Sequence, residues 1–231
     1  MTITLITGAN KGLGYETARR LLASGHTVYL GARNPEKGEA AADALGASFV
    51  QLDVTDDASV AAAADTVRAS EGHLDVLINN AGILGPRVAT VDTTSGDIRT
   101  VFDTNVFGIV RTMRAFVPLL EKSANPVVVN VSSGLGSFSE WADPDSIAHS
   151  FPNATYNPSK SAVTMLTVQY AAALPGMRVN VADPGYTATD FNGHRGTQTV
   201  EEGTDAIVRL ATLGADGPTG TFQDRDGIHG W

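Results

Sequence analysis

The chain has 231 residues, 42% hydrophobic and 18% charged, enough for one globular domain with an ample core. Its net charge of −9 and the lack of any basic run argue against nucleic acid or an anionic membrane as a partner. With no cysteine, the chain has no disulfide, no thiolate nucleophile and no zinc–thiolate site.

The first residues, Met1-Thr2-Ile3-Thr4, carry no basic leader and reach Gly8 too soon for a signal peptide. No apolar run approaches the roughly 18 residues of a membrane span, so the expected setting is the cytoplasm. Residues 3–7 read as a short β-rich strand. Gly8-Ala9-Asn10-Lys11-Gly12-Leu13-Gly14 follows, and residues 16–24 have the pattern of a helix closed by Gly25. Glycines at a strand-to-helix turn let the backbone approach a phosphate, while the helix N-terminus supplies donors and positive dipole. The spacing G-x-x-x-G-x-G is neither the G-x-G-x-x-G fingerprint nor a P-loop, because Lys11 precedes Gly12 and Leu13 follows it.

Residues 27–32 form the next β-rich run, ending at Ala32 with Arg33 just beyond. An acid at this strand end suits the ribose 2′-hydroxyl of NAD, whereas an arginine suits a 2′-phosphate. The absent acid, together with Arg33 and Lys11, points to NADP(H). A helix is expected over 36–45, a strand over 48–52, a polar stop at Asp53-Val54-Thr55-Asp56, and an Ala-rich helix over 56–69 capped by Asp56 or Thr55. Residues 75–78 read as a buried strand closed by Asn79-Asn80-Ala81-Gly82. The longest helix is expected over 103–120, with Asn105 near its start, and a strand over 126–131 ends in Ser132-Ser133-Gly134. Repeated alternation of strand and helix marks a parallel sheet covered on both faces.

Residues 140–152, with Trp141, Pro144, His149, Phe151 and Pro152, show no regular period and read as a surface loop or lid. The helix after them tolerates Pro158 only if it begins near Thr155. Residues 177–181 read as a strand, followed by Asp183-Pro184-Gly185-Tyr186-Thr187-Ala188-Thr189 and a segment over 190–199 with a mobile composition. A last helix over 200–213 and an edge strand over 220–223 complete a single domain, residues 1–231, with no internal repeat.

The chemistry centres on Tyr156 and Lys160, whose i, i+4 spacing puts phenol and ammonium on one helix face. There the ammonium can pull down a phenol pKa that is ordinarily about 10, giving a general acid for a carbonyl or a base for an alcohol. Ser132 and Ser133 stand at a strand's carboxyl end, where ligands of open α/β sheets bind. A serine hydrolase would need a histidine base. His26, His73, His149, His194 and His229 have no obvious carboxylate at a strand end and no metal spacing.

Thr7-Gly8-x-x-x-Gly12-x-Gly14, Asn79-Asn80-Ala81-Gly82, Asn105, Ser133 and Tyr156-x-x-x-Lys160, with Pro184-Gly185 behind, together resemble the classical short-chain dehydrogenase/reductase family over essentially the whole chain. The wording Thr-Gly-Ala-Asn-Lys-Gly-Leu-Gly is similar to its carbonyl-reductase branch. The resemblance implies a Rossmann-type doubly wound parallel sheet of seven strands, order 3-2-1-4-5-6-7, with helices on both faces. It also implies a catalytic tetrad of Asn105, Ser133, Tyr156 and Lys160. Tyr156 would exchange the proton with the substrate oxygen, Lys160 would tune it and hold the nicotinamide ribose, and Ser133 would polarise the carbonyl. Asn105 would hold, through its backbone, a water leading to Lys160. Gly8, Asn10, Lys11, Gly12, Leu13, Gly14 and Arg33 would line the phosphates, Asp53 and Val54 the adenine, and Asn79, Ala81 and Gly82 the floor. Pro184, Gly185, Thr187 and Thr189 would face the nicotinamide.

Three features depart from the family's pattern. Asp183 stands where members usually have a smaller neutral residue. Ser133 and Tyr156 are further apart than in most members, the excess lying in 140–152. The chain also leaves little beyond the last strand to close the substrate pocket. The reading is NADPH-dependent, reversible reduction of a ketone, aldehyde or quinone. The alternatives are an NAD-dependent alcohol or hydroxysteroid dehydrogenase, and a catalytically silent NADP(H) sensor. Trp141, Phe151, Tyr186, Phe191 and His194 are the candidates for pocket lining, on substrate loops over 140–152 and 186–199. Whether the protein is a monomer or a homo-oligomer stays open.

Overall fold

The computed structural model describes residues 1–231. Seven strands, β1 (Ile3–Thr7), β2 (Thr27–Ala32), β3 (Ser48–Gln51), β4 (Val76–Asn79), β5 (Val127–Val131), β6 (Arg178–Ala182) and β7 (Phe222–Gln223), form one sheet in the order β3-β2-β1-β4-β5-β6-β7. Every pairing is parallel, with registers such as Leu5↔Tyr29 and Leu77↔Val128. The central strands β1, β4 and β5 are buried along their whole length, which is why they read as continuous β-branched and apolar runs rather than alternating ones.

Two hydrophobic clusters lie on the two faces of this sheet. One packs β1, β4 and β5 side chains against α3 (Asp57–Glu71), α5 (Gly108–Leu120) and α7 (Tyr156–Ala173), with Phe116 and Val163 fully buried. The other packs Ile6, Ile78 and Val129 against α1 (Gly12–Ala23), α2 (Pro35–Leu45) and α9 (Asp205–Ala211). Truncating a buried phenylalanine such as Phe116 to alanine costs about 3–5 kcal/mol in such cores. A buried polar chain crosses the first cluster. Thr112 Oγ1 donates to Asn79 Oδ1 at 2.7 Å, Asn79 Nδ2 to Asn130 Oδ1 at 2.8 Å, and Asn130 Nδ2 to Thr167 Oγ1 at 2.9 Å. Each member is satisfied, so the chain ties β4, β5, α5 and α7 in one register rather than weakening the core.

Four elements differ from expectation. Helix α1 starts at Gly12, so the glycine loop runs straight into its first turn. The long helix begins at Ser95, not at 103: α4 (Ser95–Phe102) is capped by a box in which Thr94 and Asp97 exchange hydrogen bonds, and a π-turn over Asp103–Phe107 joins it to α5. Residues within 140–152 are partly helical, in α6 (Phe138–Ala142) capped by Ser137 and a 3₁₀ turn over Ile147–Ser150. The last helix is broken at Thr204 into α8 (Val200–Gly203) and α9. No helix is long and apolar enough to cross a membrane.

The residues after β7 are also placed differently from expectation. They fold back along the start of α6: Ser139 N donates to the Trp231 carbonyl at 2.8 Å and Ser137 Oγ to the Gly230 carbonyl at 2.9 Å. A short C-terminal strap therefore lies against the start of α6.

Candidate active site

The carboxyl ends of β1, β4, β5 and β6 bring the motif residues together. Gly8 and Gly12 take φ of +63° and +59°, which β-carbons oppose. A Cβ on Gly8 would lie 2.9 Å from Ala81 Cα, and one on Gly14 would lie 2.6 Å from Asn80 Nδ2. The loop is pinned from below by Asn80, whose Nδ2 donates to the Thr7 and Gly8 carbonyls at 2.9 and 3.1 Å. Thr7 Oγ1 accepts from the amides of Asn80 and Ala81, both at 3.0 Å. At the head of α1, Lys11 makes no side-chain cap and the first turn holds no acid, so its free amides and dipole remain directed at an anion. These features fit a dinucleotide phosphate.

Asn80 is the loop's key partner and was not among the expected cofactor residues. Only its place in Asn79-Asn80-Ala81-Gly82 signalled it. Asn79 itself is 4% exposed, and its side chain is committed to Asn130 and Thr112, so it can face a cofactor only through its backbone.

Arg33 and Asp53 come together on a surface cavity of about 390 Å³ beyond β2 and β3. Asp53 Oδ1 accepts from both the amide and the hydroxyl of Thr55, which holds Val54 in a tight turn. Arg33 makes no ion pair. Lys11, by contrast, is already paired: its Nζ lies 2.9 Å from Asp190 Oδ2, joining the glycine loop to the loop after β6. In that loop Gly185 takes φ of +66°, and Thr187 Oγ1 donates to the Pro184 carbonyl at 2.7 Å. Thr189 closes on Gly12, whose Cβ position is 3.8 Å from the threonine methyl.

Asn105, 1% exposed, occupies the π-turn. Its Oδ1 accepts from Ile83 N at 2.8 Å, and its Nδ2 donates to the Ile83 carbonyl and to Ser159 Oγ, both at 3.0 Å. Ser159 Oγ donates in turn to the Tyr156 carbonyl at 2.6 Å. Asn105 thus fixes the first turn of α7, a link through Ser159 that spacing alone did not reveal.

Lys160 is buried, with Nζ donating to the Val131 carbonyl at 2.8 Å and lying 5.5 Å from the centre of the Tyr156 ring. A Cβ on Gly82 would stand 3.7 Å from that Nζ and 3.5 Å from Asn105 Oδ1, so these three residues converge on one space. Burial lowers the Lys160 pKa to about 8, against the opposing pull of Asp183.

The Tyr156 phenol is held above its ordinary value, first by burial and then by the Asp183 charge, with the hydrogen bond from Ser133 acting the other way. The direction is opposite to the one expected from Lys160, because burial and Asp183 set it. Ser133 caps the 3₁₀ turn Gly134–Gly136, accepting from Leu135 N at 3.2 Å.

Of the expected lining residues, Phe191 packs on Tyr156 with ring centres 5.7 Å apart, and Phe151 on Tyr186 at 5.6 Å. Trp141 donates to the Leu135 carbonyl at 2.9 Å and meets His149 edge-on. His194 is drawn away to Asp190 at 2.8 Å. A cavity of about 640 Å³ lies at the opposite end of the sheet beside Met1, His26, Asp75 and Ser123. Strand amino ends are not where ligands of this sheet type bind, and none of the converging residues is there.

A doubly wound parallel sheet with a glycine loop opening its first helix, and a buried lysine and phenol beside a half-buried serine at its carboxyl edge, defines a Rossmann-type oxidoreductase. The chain belongs to the short chain dehydrogenase family, whose model matches residues 2–199. It is 39% identical to the short-chain dehydrogenase anuI of Penicillium roqueforti, over 92% of this chain and 89% of that protein. It is 31% identical to (+)-neomenthol dehydrogenase of Capsicum annuum, over 94% of each. Among solved structures, an NADPH-bound carbonyl reductase from chicken fatty liver superposes with a TM-score of 0.88 at 28% identity, over 100% of both chains. Salutaridine reductase from Papaver somniferum does so at 0.84 and 27%, over 96% of this chain and 99% of that one. The family uses a nicotinamide cofactor and acts on small molecules.

Proposed function

We propose that this protein is an NADPH-dependent carbonyl reductase, converting a ketone, aldehyde or quinone to an alcohol and running in reverse as a dehydrogenase. The observation that carries the reading is the buried Tyr156 phenol with Lys160 Nζ 5.5 Å from its ring centre, beside the Ser133 turn at the end of β5. The cofactor supplies the hydride. Tyr156, kept as phenol by burial, is in the form that donates a proton to the oxygen as negative charge develops there. Ser133 would supply the second donor to that oxygen, so that two hydroxyls stabilise the charge as it develops. Lys160 has donors to spare beyond Val131 and would hold the ribose hydroxyls, while Asn105 keeps the start of α7 in place.

The glycine loop with Asn10, Leu13 and the head of α1 would take the phosphates. Ala81, Gly82, Pro184, Gly185, Thr187 and Thr189 would form the floor and the nicotinamide side. Preference for the phosphorylated cofactor is supported by Arg33, unpaired beside Asp53, by the lack of an acid at the end of β2, and by the likeness to the NADPH-bound reductase. The segments 140–152 and 186–199 would act as substrate loops of a single domain, their aromatic side chains favouring a lipophilic carbonyl. The test is a carbonyl panel followed by loss of the reduced-nicotinamide absorbance with NADPH and NADH, for the wild type and Arg33→Ala. The reading expects turnover with NADPH preferred, and a KM for NADPH raised at least tenfold in the variant with that for NADH little changed. NADH preferred by both proteins would overturn the cofactor assignment.

A further inference from the structure

The residue of this site that no part of the reaction scheme uses is Asp183. It is 9% exposed at the end of β6, and its two carboxylate oxygens serve two different loops. Oδ1 accepts from the amide of Gly185 at 2.9 Å, a local turn that many aspartates make. Oδ2 accepts from the amide of Gly134 at 2.9 Å, across 49 positions of sequence, and this bond is not local. Gly134 directly follows Ser133, and Gly185 lies in the loop proposed to face the nicotinamide. One carboxylate therefore spans the strand-end loop of the polarising hydroxyl and that of the cofactor floor. A Cβ on Gly134 would stand 3.0 Å from Asp183 Oδ2, so a larger residue there would press on the carboxylate.

Burial pushes the Asp183 carboxyl above the usual carboxylate range, against the opposing pull of the Gly185 amide, His229 and the Gly134 amide. His229, on the C-terminal strap, has Nε2 3.3 Å from Glu140 Oε1 of α6 and Nδ1 3.9 Å from Asp224 Oδ2 beyond β7. That Nε2 is buried without a hydrogen-bond partner and lies 3.8 Å from the Cβ position of Gly134, on the side of Asp183. Lys160 of α7 is bonded to Val131, the register partner of Ala182 just before Asp183, and the Asp183 charge raises the pKa of both Lys160 and Tyr156.

We infer that Asp183 is a positioning residue for the hydride-transfer site, a two-loop clamp whose carboxylate, when ionised, fixes the Ser133 turn relative to the nicotinamide-side loop and acts on the Tyr156–Lys160 pair. The inference rests on the carbonyl-reductase reading for its kinetic consequence, and on geometry alone for the clamp. Removing a nearby negative charge makes every neighbouring proton easier to lose, so both coupled steps of the Tyr156–Lys160 pair move to lower pH. His229 and the carboxylates of Glu140 and Asp224 are common to all variants and do not change that sign.

Charge and reach are separable. Asp183→Asn keeps the shape but turns one acceptor into a donor facing an amide, and removes the charge. Asp183→Glu keeps the charge but misplaces it by a methylene. The clamp predicts that both lower kcat, by about tenfold to a hundredfold for a displacement of under an ångström, with the affinity for NADPH within about threefold of wild type. Only the asparagine variant moves the pH limb of turnover toward acid. Wild-type kcat in the asparagine variant, or a limb unmoved by loss of the charge, overturns the inference.

A second measurement depends neither on a variant folding nor on turnover. In the wild type, the Gly134 and Gly185 amide resonances are expected to shift together through one acid-side titration, because both donate to the same carboxyl group. Separate titrations, or none, would refute the clamp. A protein that reduces no carbonyl but shows the paired titration would sink the reductase reading and leave the clamp standing.

Discussion

Replacing Asn105 with alanine removes three hydrogen bonds from a residue that is 1% exposed: one from Ile83 N, one to the Ile83 carbonyl and one to Ser159 Oγ. At about 1 kcal/mol net per bond, the loss is about 3 kcal/mol, and the Ile83 amide left without a partner adds about 1 kcal/mol more. For a chain of this length each kcal/mol lowers the melting temperature by about 2–4 °C, so Asn105→Ala is expected to melt roughly 8–16 °C below wild type. The assay is thermal unfolding by circular dichroism, paired with the denaturant midpoint so that a change in slope is not mistaken for a change in stability. Because Ser159 also donates to the Tyr156 carbonyl, kcat for carbonyl reduction falls as well, measured well below the variant's melting point. A melting point within about 2 °C of wild type would refute the reasoning, since it would mean these three buried bonds contribute nothing net.

Asp190→Asn releases Lys11 from its exposed ion pair, so the KM for NADPH is expected to fall about twofold to threefold at low salt and to converge with wild type at about 1 M salt. A rise in KM would show that Asp190 aids cofactor binding directly. Gly14→Ala forces a Cβ to within 2.6 Å of Asn80 Nδ2 and 2.8 Å of Ala9 Cα, and overpacking of this kind costs about 1–3 kcal/mol. Weaker NADPH binding by fluorescence titration should accompany it, because Asn80 also pins Gly8. Lys160 has its pKa lowered to about 8 in the fold against 10.5 otherwise, so between these values the unfolded chain carries a proton the folded chain lacks. Stability should therefore rise with pH across that window, and turn down again above about pH 10 as the raised Tyr156 retains a proton that the unfolded chain loses. Denaturant midpoints from about pH 7.5 to about pH 9.5 should rise more in wild type than in Lys160→Met; equal slopes would contradict the assignment.

The strands were legible because a parallel sheet buried on both faces leaves no alternation to misread: Leu5, Ile6, Leu77, Ile78 and the valines of β5 are apolar in succession. The glycine loop was legible because two of its residues need positive φ and a third tolerates no Cβ. The first half of the long helix was not, because Thr94-Ser95-Gly96-Asp97 has turn composition and becomes helical through the exchange between Thr94 and Asp97. The π-turn at Asn105 leaves no trace in local propensity, since it arises where the side chain is drawn to Ile83 and Ser159. Spacing put Tyr156 and Lys160 on one face but could not give the sign of the phenol's shift, which depends on burial and on Asp183, 27 positions away in the chain (183 minus 156). The bonds of Asn80 and Asp183 could not be read for the same reason, although both positions stood out: each joins loops that are adjacent only in the folded sheet.

The central claim is that Tyr156 donates the proton to a carbonyl reduced by NADPH. Its most direct test is turnover by Tyr156→Phe on the best substrate of a carbonyl panel, with NADPH binding measured on the same preparation. The account predicts that binding stays within about threefold of wild type while kcat falls by at least the hundredfold that a general acid supplies. A phenylalanine variant that still turned over at the wild-type rate would contradict it.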